Sequence, residues 1–170
     1  MEDQVTNKSQ LRLTIEIVPS TLWGKNLRKM LSQPAWDKLR RQVYEQYGNR
    51  CGICQAEGRL SCHEIWDYDD TQHIQKLQGF IALCDMCDHV KHIGFAQSLA
   101  ESGKLDFQQV INHFLKVNQC SLEEYEAHSN DVWERWSIRS NEFDWTTDLG
   151  EYARLIEENP KRTRKAKSKQ

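Results

Sequence analysis

Two Cys-x-x-Cys pairs, Cys51/Cys54 and Cys84/Cys87, constrain this 170-residue chain more than any other feature. Each pair puts two thiolates on one short turn, and four thiolates meet the tetrahedral preference of zinc. A metal shared by both pairs draws two distant loops together, and its binding energy offsets the ordering cost of closing the segment between them. A redox dithiol needs no second pair, so redox chemistry is the third reading of this spacing. The remaining cysteines are Cys62, inside the loop, and Cys120, which follows a helical pattern and reads as a small buried hydrophobe.

Hydrophobic content of 38% and charged content of 28% suit one globular domain with extensions. No apolar run approaches the roughly 18 residues of a membrane helix. The N-terminus lacks the basic-then-apolar layout of a secretion signal, so a cytoplasmic location with no membrane partner is expected. The net charge of −2 hides an asymmetry. Residues 161–170 hold six basic groups and no acid, which leaves 17 of the 23 basic groups against all 25 acidic ones elsewhere, a net of −8. Such a tail grips phosphates through counterion release, or is simply solvated.

Apolar and polar residues alternate from Leu11 to Ile17, the period of a half-buried strand, and Pro19 stops it. A helix is expected after Ser32, with Pro34 in its first turn and Trp36, Leu39, Val43, Tyr44 and Tyr47 along one stripe, ending at Gly48. Leu60–Trp66 and Leu77–Leu83 read as two strands joined through the acidic turn Asp67–Asp70. Beyond the second cysteine pair the periodicity is helical, with Gly94 weakening one stretch. Further helices are expected over Phe107–Val117, over Leu122–Ile138 and around Tyr152–Ile156. The expected class is α+β. Residues 1–47 supply a strand and helix that pack on a zinc-stapled core (48–103), followed by a helical extension (104–160) and a basic tail (161–170).

A second constellation sits beside the cysteines. Asp88 and His92 are spaced i, i+4 on a helix, which places a carboxylate and an imidazole on one face, close enough to share a metal. On the strand Leu60–Trp66, His63 alternates with Cys62 and Glu64, which face the other way.

Cys-x-x-Cys, then Cys62-His63-Glu64, then Leu83-Cys84-x-x-Cys87 with Asp88 and His92 beyond, resembles the HNH endonucleases and their ββα-metal fold. The resemblance covers roughly residues 48–95. It implies that the four cysteines hold a structural zinc and that His63 is the general base. It also implies that Cys62, Asp88 and His92 stand at ligand positions for a second divalent ion: Mg2+, Mn2+, Ni2+ or Zn2+. Cys62, a soft ligand, either joins that ion or faces the core, leaving Asp88 and His92, or Asp67, to hold it. The stretch before Leu83 has no counterpart of the family's middle Asn. Candidate phosphate contacts are Lys38 and Arg41 on the first helix, Lys91 after the second cysteine pair, and Lys165 and Lys167 in the tail.

What the resemblance implies is a metal-dependent endonuclease that hydrolyses DNA phosphodiester bonds. The alternative is a noncatalytic zinc-stabilised module, derived from the same fold, that binds nucleic acid or a protein partner.

Overall fold

A computed structural model describes residues 10–142 and 144–159. The basic tail, with Lys165 and Lys167, lies outside them. Among the described residues the chain forms seven α-helices and one three-stranded sheet, a mixed α+β arrangement.

The expected strand over Leu11–Ile17 does not form. The segment bends at Arg12–Leu13 and is otherwise irregular, and its backbone partners are side chains and one helical carbonyl. The Asn118 amide bridges it, accepting from the Arg12 and Leu13 N–H groups at 2.8 and 2.9 Å and donating to the Leu13 carbonyl at 2.8 Å. The Ile15 N–H donates to His128 Nε2 at 2.9 Å, and the Glu16 N–H donates to the Lys91 carbonyl at 3.1 Å. Alternation therefore reported half-burial correctly, while the partners that separate a strand from a strap lie more than 70 residues away.

A 3-10 turn (Ser20–Leu22) and α1 (Leu27–Met30) lead into α2 (Gln33–Gln46). This helix has Pro34 in its first turn and buries Trp36 and Val43. Gly48, at φ 63°, closes it in the left-handed conformation that glycine adopts without strain. The Tyr44 and Tyr47 hydroxyls then donate to the carbonyls of Leu60 and Phe80, tying α2 across the sheet.

Strands β1 (Leu60–Asp69) and β2 (Ile74–Cys84) form an antiparallel hairpin longer than expected, with Asp67–Asp69 still in the strand. Register slips between Ile65 and Trp66, which pair with Gly79 and Leu77 and leave Gln78 as the extra residue. Beyond the bulge, odd-numbered Leu77 and Gln75 oppose Trp66 and Tyr68, whereas even-numbered Phe80 and Ala82 oppose Glu64 and Cys62. The even-numbered side of β1 thus stays continuous along its whole length.

From Cys84 the chain turns directly into α3 (Asp85–Lys91), breaks at His92 (φ −103°, ψ 53°) and resumes as α4 (Ile93–Glu101). Helices α5 (Phe107–Asn118) and α6 (Leu122–Glu142) follow. A short strand β3 (Thr146–Asp148), which alternation did not suggest, then pairs parallel with the start of β2, and α7 (Ala153–Glu158) comes last.

Two apolar clusters result. One joins Leu13 and Ile15, the cysteine knuckles, Val90, Ile93 and Phe114. The other joins Leu27, Leu31, Trp36 and Leu77, with Cys62 and Trp66 against it. Burying a side chain as large as Phe114, which is fully enclosed, contributes about 3 kcal/mol.

His128, stacked on Phe114 with ring centroids 5.6 Å apart, is a pH-sensitive member of this packing. Burial lowers its pKa, and its Nε2 must stay unprotonated to accept from Ile15. A depressed folded-state pKa contributes stability that is complete above the unfolded value of about 6.5 and is lost as pH falls through the folded one. Thermal melts from pH 7.5 to 5 should show a decline that is shallower in His128→Gln; equal slopes would contradict this role.

Candidate metal centres and their surroundings

The knuckle at Cys51 depends on tight backbone packing. The Gly52 N–H donates to the Ala82 carbonyl at 2.8 Å, and a Cβ on Gly52 would come within 2.6 Å of the Tyr47 ring and 2.8 Å of Ile81. The other pair sits at the junction of β2 and α3. Cys84 ends the strand and Cys87 falls in the first helical turn, so both thiols face the Cys51 turn.

All four Sγ atoms lie within 4.8 Å of one another, and Cys54 and Cys84 are 3.5 Å apart. A tetrahedron with zinc–sulfur bonds of about 2.3 Å has edges of about 3.8 Å, so the set can hold one zinc ion. Electrostatics agree. Hydrogen bonds from Cys84 and Cys87 push the Cys51 thiol down, whereas the contact with Cys51 pushes Cys84 up to about 11 and contacts with Cys51 and Cys84 push Cys87 higher still. Four thiolates this close need a cation to be ionised together. His113 Nε2 lies 3.1 Å from Cys87 Sγ, where its N–H can donate to the sulfur. The sequence carries no signal for that contact, because His113 is 26 residues beyond Cys87 on α5.

A second group forms where the hairpin meets α3. One ligand atom each from His63, Asp88 and His92 lies within 4.8 Å of the others. The i, i+4 spacing sets up half of this: His92 Nδ1 is 3.3 Å from Asp88 Oδ1. Burial raises the Asp88 pKa, but the bond and charge of His92 outweigh it and hold the carboxyl below its usual range. Burial lowers His92, and Asp88 more than restores it. The imidazoles of His63 and His92 meet edge to face with centroids 4.9 Å apart.

Glu16 completes this region, and the sequence reading passed over it. Its Oε2 is 2.8 Å from His63 Nε2, and its Oε1 accepts from Lys91 Nζ at 2.5 Å. Burial alone raises the Glu16 carboxyl; hydrogen bonds and charge from His63 and Lys91 bring it down to about 2. His63 is 7% exposed, and its Nδ1 is buried without a hydrogen-bond partner among the described residues. The only advance signal was a carboxylate alternating with Ile15 and Ile17 on a half-buried segment.

Other expectations meet different surroundings. Cys62 lies outside the trio: it packs against the second apolar cluster, and burial together with the Glu64 charge raises its thiol to about 12. The Glu64 carboxylate turns away to accept from the backbone N–H groups of Leu27 and Arg28, and the side-chain partner of His63 is Glu16. Lys91 is not a surface contact. It is 7% exposed, with Nζ bound to Thr14 and Glu16, because α3 turns it inward under the N-terminal strap. Lys38 and Arg41 are exposed on α2. Among the described residues no helix is long and apolar enough to cross a membrane.

Compared with known proteins, the chain matches no family model, no curated protein and no solved structure.

Proposed function

We propose that the protein is a metal-dependent phosphodiester hydrolase acting on DNA, with an HNH-like ββα core stapled by zinc. The observation that carries this reading is the trio His63, Asp88 and His92. It sits on a hairpin and the helix that follows it, immediately beside the four-cysteine cluster.

Two imidazoles and one carboxylate suit manganese, nickel or zinc better than magnesium, and with Cys62 outside the group no thiolate competes. A divalent ion held there supplies charge compensation for the phosphate and acidifies a water to act as nucleophile.

His63 enters as a ligand, in place of the general base that the resemblance implies. A base needs a ring nitrogen open to water. In His63, Nε2 is held by Glu16 and Nδ1 is buried. With Nε2 on Glu16, Nδ1 is the nitrogen left for a metal, and a carboxylate on the other nitrogen is the usual partner of a metal-bound imidazole. Lys91 in turn holds the Glu16 carboxylate in place.

The test is cleavage of supercoiled plasmid and of single-stranded DNA by the zinc-loaded protein with added Mn2+, Ni2+, Zn2+ or Mg2+. Cleavage dependent on the added ion supports the proposal; none with any ion overturns it and leaves a zinc-stabilised binding module. Glu16→Gln keeps a hydrogen bond but removes the charge, and should weaken affinity for the added ion by about 10- to 100-fold in a calorimetric titration. Unchanged affinity would remove Glu16 from the site.

A further inference from the structure

A cavity of about 690 Å³ opens beside the trio, with His63 and His92 in its wall. We propose that it takes an unstacked nucleobase, so that the strand presented to the trio is single or locally unpaired DNA; the inference rests on the hydrolase reading above.

The size fits a ligand of one or two rings with its sugar. The walls are aromatic. The continuous side of β1 contributes Trp66 and Tyr68, α6 contributes Trp133 and Trp136, and Trp23 and Phe95 also line the cavity while being 68% and 62% exposed. Both Trp23 Nε1 and Trp136 Nε1 donate to the Val18 carbonyl, at 3.0 and 3.1 Å, so the polar edges of these indoles are already satisfied. What remains for a ligand is ring face, the surface on which any base stacks.

Charge in the lining is arranged for a phosphate-bearing ligand. The acids Glu16 and Glu64 are both engaged, by His63 and Lys91 and by the N–H groups of Leu27 and Arg28. The cations Lys25 and Arg28 are exposed and in no ion pair among the described residues, and the Arg28 guanidinium lies 5.8 Å from the Trp36 ring centroid. Gln75, 1% exposed, also contributes to the wall. Its Nε2 donates to the Lys25 carbonyl and to Thr147 Oγ1, which fixes the amide orientation and leaves Oε1 buried with no donor. Aromatic faces and exposed cations in a cavity that shares His63 and His92 with a candidate metal trio together describe a nucleotide unit, and a base stacked in a duplex cannot enter such a cavity.

The test is fluorescence anisotropy with the full-length zinc-loaded protein and no added divalent ion, so that binding is read without cleavage. A single-stranded DNA 10-mer should bind at least about tenfold more tightly than a duplex of the same length or a strand with abasic spacers. Trp23→Ala and Phe95→Ala, both at exposed positions, should each weaken it by about fivefold or more with zinc content and circular dichroism unchanged. Equal affinity for single strand, duplex and abasic strand, or no effect of either variant, overturns the pocket. Equal affinity for a free deoxynucleoside monophosphate overturns the strand and makes the ligand a mononucleotide. Base-dependent binding without cleavage under any metal would refute the hydrolase alone, whereas metal-dependent cleavage indifferent to bases would refute the pocket alone.

Discussion

Cys87→Ser should leave the protein unfolded at ambient temperature, and a zinc chelator should do the same to the unaltered chain. Cys87 is fully buried, and its sulfur stands where the knuckle, α3 and His113 on α5 meet. Structural zinc in small domains is worth on the order of 10 kcal/mol, comparable to the roughly 5–15 kcal/mol total stability of a domain. Without a metal, the three buried thiols and the partly buried Cys54 would lack a shared cation, and the first apolar cluster, which includes Cys51, Cys84 and Cys87, would lose its closure. Circular dichroism and metal stoichiometry check the outcome: one zinc per chain and a cooperative melt for the parent, neither for Cys87→Ser. Cys120→Ser, at a partly buried position outside the cluster, should keep both. A Cys87→Ser protein that melts like the parent would show that the cysteines are not a metal staple.

Asp88→Asn and His92→Ala should each lower the proposed metal-dependent DNA cleavage by at least about 100-fold without loss of zinc or fold, since each removes one of the three groups proposed to hold the second ion. Both side chains are partly or largely exposed, so neither change opens a hole in a core. His63→Ala separates two roles. As a ligand it loses affinity for the added ion together with cleavage; retained affinity with lost cleavage would return His63 to the role of general base. Cys62→Ser should leave the affinity for the added ion unchanged, because Cys62 packs in the second apolar cluster.

Much of the scaffold was legible because it is local. Proline and glycine bracket α2, the two cysteine pairs announce the staple, and 3.6-residue periodicity marks α5 and α6. Alternation also separated Cys62 and Glu64 from His63 on β1. The failures have one cause. A half-buried alternating segment reads as a strand whether its N–H groups meet another strand or Asn118 and His128. The three residues of β3 are too few to display a period, and their pairing with β2 spans some 70 residues. Lys91 looked like a phosphate contact because a lysine gives no sign in sequence that a distant glutamate will bury it.

By itself the sequence determined what short-range spacing can encode: four thiols on two turns, and a carboxylate and imidazole one helical turn apart. Only the tertiary structure decided which other groups meet them. It brought His63 to Asp88 and His92, set Glu16 behind His63, put His113 against Cys87 and turned Cys62 into an apolar cluster. The physical reason is that ligand geometry within one turn follows from backbone pitch, while a partner 26 or 47 residues away is chosen by how whole elements pack.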